Sequence, residues 1–411
     1  MGGCNEANMK RRPSARCRIG RGLPAAAIVF SAWLATLPSA GGQPVPAAAP
    51  YANGFPADPG FFPLGVWLQA PKNAASYQAI GINTFVGLWE GPTEAQLAAL
   101  AGHGMFAVAA QNEIGLGSAN RGVIKAWLQE DEPDDAQPGW LRRYQPCIPA
   151  AEVARRSRGL KARDATRPVM VNFGPGVADE SWPGRGTCTG DLQYYDRAVE
   201  GADILSFDIY PVANDRVEVA GKLEYVARGV ANLVKRAATG QKVWTAIETT
   251  SIRSGHRVTP AQLRAEVWMA LLHGATGIFY FVHEWSSGFR EDGIFRYPEI
   301  VREVAAVDRT ITALAPVLNS PSLAGKVTVS APVPIAVMAK QQGDALYVFA
   351  AAMQDAPSTA RFAIRGLAAA EAQVIGEDRA AAVADGILED AFPGYGVHLY
   401  RIPVGNDDRN R

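Results

Sequence analysis

Ile124-Lys125-Ala126-Trp127-Leu128-Gln129-Glu130-Asp131-Glu132-Pro133 is a short, mostly apolar run that breaks into three acids and a proline. A strand covered on both faces needs such a segment, and Pro133 then stops the ladder and sets the turn. Similar runs occur at Pro63 to Leu68, Asn83 to Trp89, Phe106 to Gln111, Val169 to Phe173, Ile204 to Tyr210, Val243 to Glu248 and Gly277 to Val282. With Ile124 to Glu130 they make eight. Helical stretches lie between them: Thr93 to Ala101, Ala151 to Lys161, Leu223 to Ala238, Pro260 to His273 and a long one around Pro298 to Leu318. Thr93 reads as an N-cap with Gly102 as the residue past the helix end, and Thr259 before Pro260 reads as a second N-cap. The stretch from Gln111 to Ile124 is short and Gly-rich, which predicts the least regular helix. Eight alternating units predict an α/β chain folded as a (β/α)₈ TIM barrel over 61–319.

From Ser320 the pattern changes to period-two runs (Val327 to Val329, Ile335 to Ala339, Ala345 to Phe349, Arg361 to Ile364, Gly396 to Ile402) separated by polar turns. These predict a small C-terminal antiparallel β domain, sandwich-like, over 320–404, followed by a polar tail at 405–411. At the other end, 41–60 reads as a Pro/Ala-rich linker. Ahead of it, Lys10, Arg11, Arg12, Arg16, Arg18 and Arg21 precede the apolar run Leu23 to Leu37 and then small residues, the pattern of an export signal over 1–40 cleaved near Ala40 or Ala47. The run is shorter than the roughly 20 apolar residues of a membrane span. Its removal takes away Cys4 and Cys17 and leaves Cys147 and Cys188, a pair suited to one disulfide in an oxidising compartment. The expected location is therefore secreted or periplasmic, with no membrane attachment after cleavage.

The 411 residues are 48% hydrophobic and 19% charged, which excludes a disordered chain. Forty basic residues balance forty acidic ones, so the electrostatic footprint of a nucleic-acid binder is missing. No Gly-rich phosphate cradle and no Gly-x-Ser-x-Gly elbow occur, so neither a nucleotide cofactor nor a serine nucleophile is expected. The five histidines are scattered without a His-x-x-x-His pair, so no catalytic metal is expected either.

Reactive groups of such barrels sit at the C-terminal ends of strands. Glu132 leaves the fourth strand before Pro133, and Glu248 closes the seventh. From Phe61 to Leu318 this arrangement resembles the retaining glycoside hydrolases of clan A. The resemblance implies Glu132 as acid/base and Glu248 as nucleophile, acting on a β-linked poly- or oligosaccharide through a covalent glycosyl ester. The charge on Glu248 would then raise the pKa of Glu132. Asp131 departs from the family, which has Asn there. An ionised Asp accepts hydrogen bonds but donates none to a sugar 2-hydroxyl. Glu130 competes for the acid role, since regular alternation would put it on the same face as Glu132. Tyr210, near the end of the sixth strand beside Asp208, matches the family's tyrosine that hydrogen-bonds the nucleophile. Trp285, just past the eighth strand and next to His283, resembles its aromatic floor. Trp67 and Trp89 offer further flat faces, and Asn172 a hydroxyl-binding amide. A Cys147–Cys188 disulfide would join the loops after the fourth and fifth strands. The other reading is a carbohydrate-binding barrel without catalysis.

Overall fold

The computed structural model describes residues 51–139, 144–286 and 288–404. The expected export signal over 1–40 and the polar tail 405–411 lie outside the described residues. Eight parallel strands close into a barrel: β1 (Leu64–Trp67), β2 (Thr84–Val86), β3 (Phe106–Ala109), β4 (Ile124–Leu128), β5 (Val169–Phe173), β6 (Ile204–Phe207), β7 (Lys242–Glu248) and β8 (Gly277–Phe281), with β8 paired to β1. Around it run α1 (Ala74–Gln78), α2 (Glu94–Gly102), α3 (Glu113–Gly117), α4 (Ala150–Arg163), α5 (Gln193–Ala198), α6 (Glu224–Arg236), α7 (Pro260–Leu272) and α8 (Pro298–Leu318). The Gly-rich α3 is reduced to a short stub, as its composition suggests. Thr93 and Thr259 each close a capping box, with Gln96 and Gln262 returning the bond. Gly102 stays inside α2, and Gly104, at φ +63°, takes the left-handed position instead.

Inside the barrel Trp67, Val86, Val108, Met170, Trp244 and Phe279 pack into one cluster. Room for the Trp244 indole comes from Gly277, where a Cβ would approach the ring to 2.5 Å. Residues 51–60 are not the loose linker that their composition suggests. Phe55 packs on Trp244 with ring centroids 5.3 Å apart, and the Tyr51 hydroxyl donates to Asp203 at 2.6 Å, so this segment seals the N-terminal mouth of the barrel.

Beyond α8 come β9 (Val327–Ser330), β10 (Ile335–Gln342), β11 (Ala345–Ala352), β12 (Ser358–Ile364), β13 (Ala369–Val374), β14 (Arg379–Ala384), β15 (Ile387–Phe392) and β16 (Val397–Pro403). They form one antiparallel sheet in the order β10-β11-β16-β13-β14-β15-β12-β9, where the sequence suggested a sandwich. The alanine-rich β13 and β14 escape a reading based on β-branched and aromatic residues. One face of β11 joins the sheet's own core through Leu346 and Val348. The other places Phe349 on Trp268 of α7, with ring centroids 5.5 Å apart, which docks the sheet on the helix ring. The Cys147–Cys188 disulfide is formed, its Cα atoms 6.2 Å apart, and ties the loop after β4 to the loop after β5. Among the described residues no helix is long and apolar enough to cross a membrane.

Candidate active site

The ladder of β4 ends at Leu128, and the acids that follow go to different places. Glu130 turns outward into an exposed ion pair with Arg156. Glu132 takes φ +43°, a left-handed conformation that costs a non-glycine residue of order 1 kcal/mol or more and is concentrated at functional sites. Its N–H donates to the Asn172 carbonyl at 2.9 Å, and its own carbonyl accepts from the Asp135 N–H at 3.1 Å. This twist breaks the alternation on which Glu130 and Glu132 would share a face. Asp131 and Glu132 line the cavity together, and Glu130 does not. Asp134 is buried, accepting from the Gly174 N–H at 2.8 Å and the Tyr195 hydroxyl at 2.6 Å, so it braces the loop. Asp135 accepts from the Trp182 indole at 3.0 Å.

The cavity, about 570 Å³, opens at the C-terminal mouth of the barrel. Its polar side carries Asp131, Glu132, Asn172, Asp208 and Tyr210. Trp67 and Phe279 lie together beneath, 5.5 Å between centroids. Phe281, Trp285 and Trp182 add aromatic walls, and Arg253 stands over the Trp285 ring at 5.1 Å. The Asn172 amide donates to Asp131 at 2.9 Å and to Asp208 at 3.0 Å. Asp208 also accepts from the Tyr210 hydroxyl, and the Tyr210 ring packs on Phe281 at 4.9 Å.

The clustered carboxyls of Asp131, Glu132 and Asp208 cannot all ionise cheaply. Glu132 is pushed up to about 10, first by the Asp208 charge, then by burial and by Asp131. Asp208 is also raised well above the usual carboxylate range, by burial and then by Asp131, against the hydrogen bonds from Asn172 and Tyr210. Asp131 shows an open surface to the cavity but is ringed by protein, and burial lifts it to about 6. Glu132 and Asp208 therefore titrate as a pair. Two donors stabilise the ionised form of Asp208, while no described residue donates to the Glu132 carboxyl. The shared proton belongs on Glu132.

Neither a family model nor a curated protein sequence matches the chain. Its structure is similar to that of an α-amylase from Geobacillus thermoleovorans, solved with acarbose, at a TM-score of 0.51 and 8% identity over 86% of this chain and 99% of that one. It is also similar to a candidate α-galactosidase from Bacteroides fragilis, at a TM-score of 0.51 and 10% identity over 84% of this chain and 80% of the other. The likeness is one of fold.

Of the residues singled out in the sequence, Asp131, Glu132, Asn172, Asp208, Tyr210, Trp67 and Trp285 meet in the cavity. Glu248 does not. It is fully buried, its carboxylate oxygens accept from the Val212 and Ala213 N–H groups at 2.7 Å each, and it lies against Glu266 of α7. Tyr210 accordingly bonds Asp208 rather than Glu248, and the acid that raises Glu132 is Asp208. Trp89, 65% exposed, lies outside the cavity lining. His283 is buried behind the aromatic wall against Phe281 and Trp285, 5.2 and 5.5 Å away, and burial lowers its pKa. Glu284 is taken up by Ser251, Ser286 and Tyr297. Burial raises its pKa, but these bonds together outweigh that and hold it below the ordinary value. Trp182, Arg216 and Arg253 were missed. The only sequence signal was an aromatic or basic residue in a loop after a strand. Among the described residues no group of three His, Cys, Asp or Glu is arranged to hold a metal ion.

Proposed function

We propose that the protein is a glycoside hydrolase in which Glu132 protonates the departing glycosidic oxygen and Asp208 acts as the ionised partner. The observation that carries this reading is the opposition of these two acids in one aromatic-lined cavity at the C-terminal mouth of the barrel. Glycosidic cleavage needs one carboxyl protonated and one ionised, and the pair's mutual repulsion with its unequal hydrogen bonding supplies that division. Trp67, Phe281 and Trp285 offer flat apolar faces to sugar rings. Asp208 takes the part that sequence resemblance implied for Glu248, whose oxygens are already occupied by backbone N–H groups.

The sequence resemblance to retaining enzymes supports attack by Asp208 on the anomeric carbon, a glycosyl ester and retention of configuration. Water then cleaves the ester with Glu132 as base. The substrate is a poly- or oligosaccharide met outside the cytoplasm, a placement supported by the disulfide and by the export-signal pattern. Sequence resemblance favours a β-linked glycan, whereas the two proteins of similar fold are named for α-linked ones, so the substrate panel spans both.

The test is a screen of polysaccharides and aryl glycosides with the anomer of the first product read by NMR. A retained anomer is expected. Glu132→Gln and Asp208→Asn should each lower kcat/KM by roughly 10²–10⁴-fold. Glu132→Ala should keep activity on aryl glycosides with good leaving groups and gain from azide. Full activity of Asp208→Asn would overturn the pairing. Glycan binding by calorimetry without product would instead make the barrel a carbohydrate-binding protein.

A further inference from the structure

We propose that Asn172 is a positioning residue which decides where the proton of the acid cluster resides. The idea rests on the Glu132 and Asp208 pairing above. Asn172 sits on β5, almost fully buried, and contacts Asp131, Glu132 and Asp208 through its amide and its main-chain carbonyl. Its main-chain carbonyl accepts from the Glu132 N–H at 2.9 Å and so holds that residue in its left-handed turn. Its amide nitrogen, the one neutral donor with two hydrogens in the cluster, gives one to Asp131 at 2.9 Å and one to Asp208 at 3.0 Å. The amide faces its nitrogen to the carboxylates because a flipped oxygen would meet two of them, and its oxygen lies 2.8 Å from the Ser206 hydroxyl, which also reaches the Val171 carbonyl at 3.2 Å. Ser206 is itself fully buried and is the register partner of Asn172 in the β5–β6 ladder.

Both amide hydrogens are thus committed to Asp131 and Asp208, and each favours the ionised form of its acceptor. Glu132 receives no such bond from a side chain. Asn172 therefore stabilises the charge on the two aspartates and leaves Glu132 as the cheapest place for a proton. The assignment is independent of the sugar and of turnover, which allows it to be tested on the resting protein.

The experiment is infrared difference spectroscopy of the protonated-carboxyl stretch on the full chain at neutral pH. In the native background, Glu132→Gln should remove a band and Asp208→Asn should not. In an Asn172→Ala background Asp208 keeps only the Tyr210 hydroxyl as a donor, so part of the band should now be lost on Asp208→Asn. Ser206→Ala, which frees the amide without removing it, should move intensity in the same direction but less, and it serves should Asn172→Ala fail to fold. Where turnover is measurable, the acid limb of the kcat/KM profile should rise by about one pH unit or more in Asn172→Ala, because Asp208 then ionises later. A purely structural role would lower the rate without moving that limb. If the band stays with Glu132 in both variants, the inference is wrong. If Glu132→Gln keeps full turnover while the bands behave as expected, the glycosidase reading fails and the role of Asn172 stands.

Discussion

Two pairs of acids in this molecule obey the same electrostatics and differ in what can reach them. Glu132 and Asp208 meet in an open cavity, whereas Glu248 and Glu266 meet between the end of β7 and α7 with no exposed surface. In the sealed pair burial lifts Glu248 to about 7, against the Val212 and Ala213 N–H bonds. Glu266 is raised well above its ordinary value by burial and by the Glu248 charge. A proton on Glu266 removes the repulsion between the two buried carboxyls. Its reach ends there. By holding Val212 and Ala213, Glu248 instead secures the loop that brings Ala213, Asn214, Asp215 and Arg216 to the cavity wall. A glutamate closing a barrel strand becomes reactive only if its side chain finishes on the open side.

The largest effect that could break this contrast is catalytic. On one substrate, Glu132→Gln should cost roughly 10²–10⁴-fold in kcat/KM, and Glu248→Gln, which keeps the shape and one acceptor, under about threefold. Equal losses would return Glu248 to the chemistry. An intermediate effect concerns stability. The folded pKa of Glu248 is raised from 4.5 to about 7, so its contribution is fully present below the unfolded value and is lost as pH rises through the folded one. Unfolding free energy should fall between those values by up to about 1.4 kcal/mol per pH unit, a few kcal/mol in all. Glu266→Gln should flatten the overall slope in denaturant titrations across pH, because Glu266 carries a raised pKa of its own, and an unchanged slope would show that Glu266 is not held protonated in the folded chain. The smallest effect sharpens the boundary of the cavity. Trp67→Ala should raise KM by roughly five- to tenfold, for about 1 kcal/mol of lost ring contact, while the exposed Trp89→Ala should stay within about twofold in the same assay.

The barrel was legible because each strand is covered on both sides and so advertises itself as a short apolar run, and because Thr93 and Thr259 mark helix starts by a local bond. The alanine-rich β13 and β14 were not, since their pairing is made by neighbours rather than by side-chain type. Residues 51–60 looked like a linker because composition does not show that Phe55 meets Trp244. Within the site, Asp131, Glu132, Asn172, Asp208, Tyr210, Trp67 and Trp285 could be picked out because strand ends converge on one mouth.

The amino-acid order alone determined the eight alternating units, the change of pattern after α8 and the set of acids available at the strand ends, all of which follow from periodicity and local chemistry. Only the tertiary structure decided which acids face each other. Side-chain direction follows a period of two while the ladder lasts, and it lapses at Leu128, where the turn at Glu132 carries Asp131 and Glu132 into the cavity and leaves Glu130 outside. The Coulomb and desolvation energies that raise Glu132, Asp208, Glu248 and Glu266 depend on distances between separate elements, and those exist only once the barrel has closed.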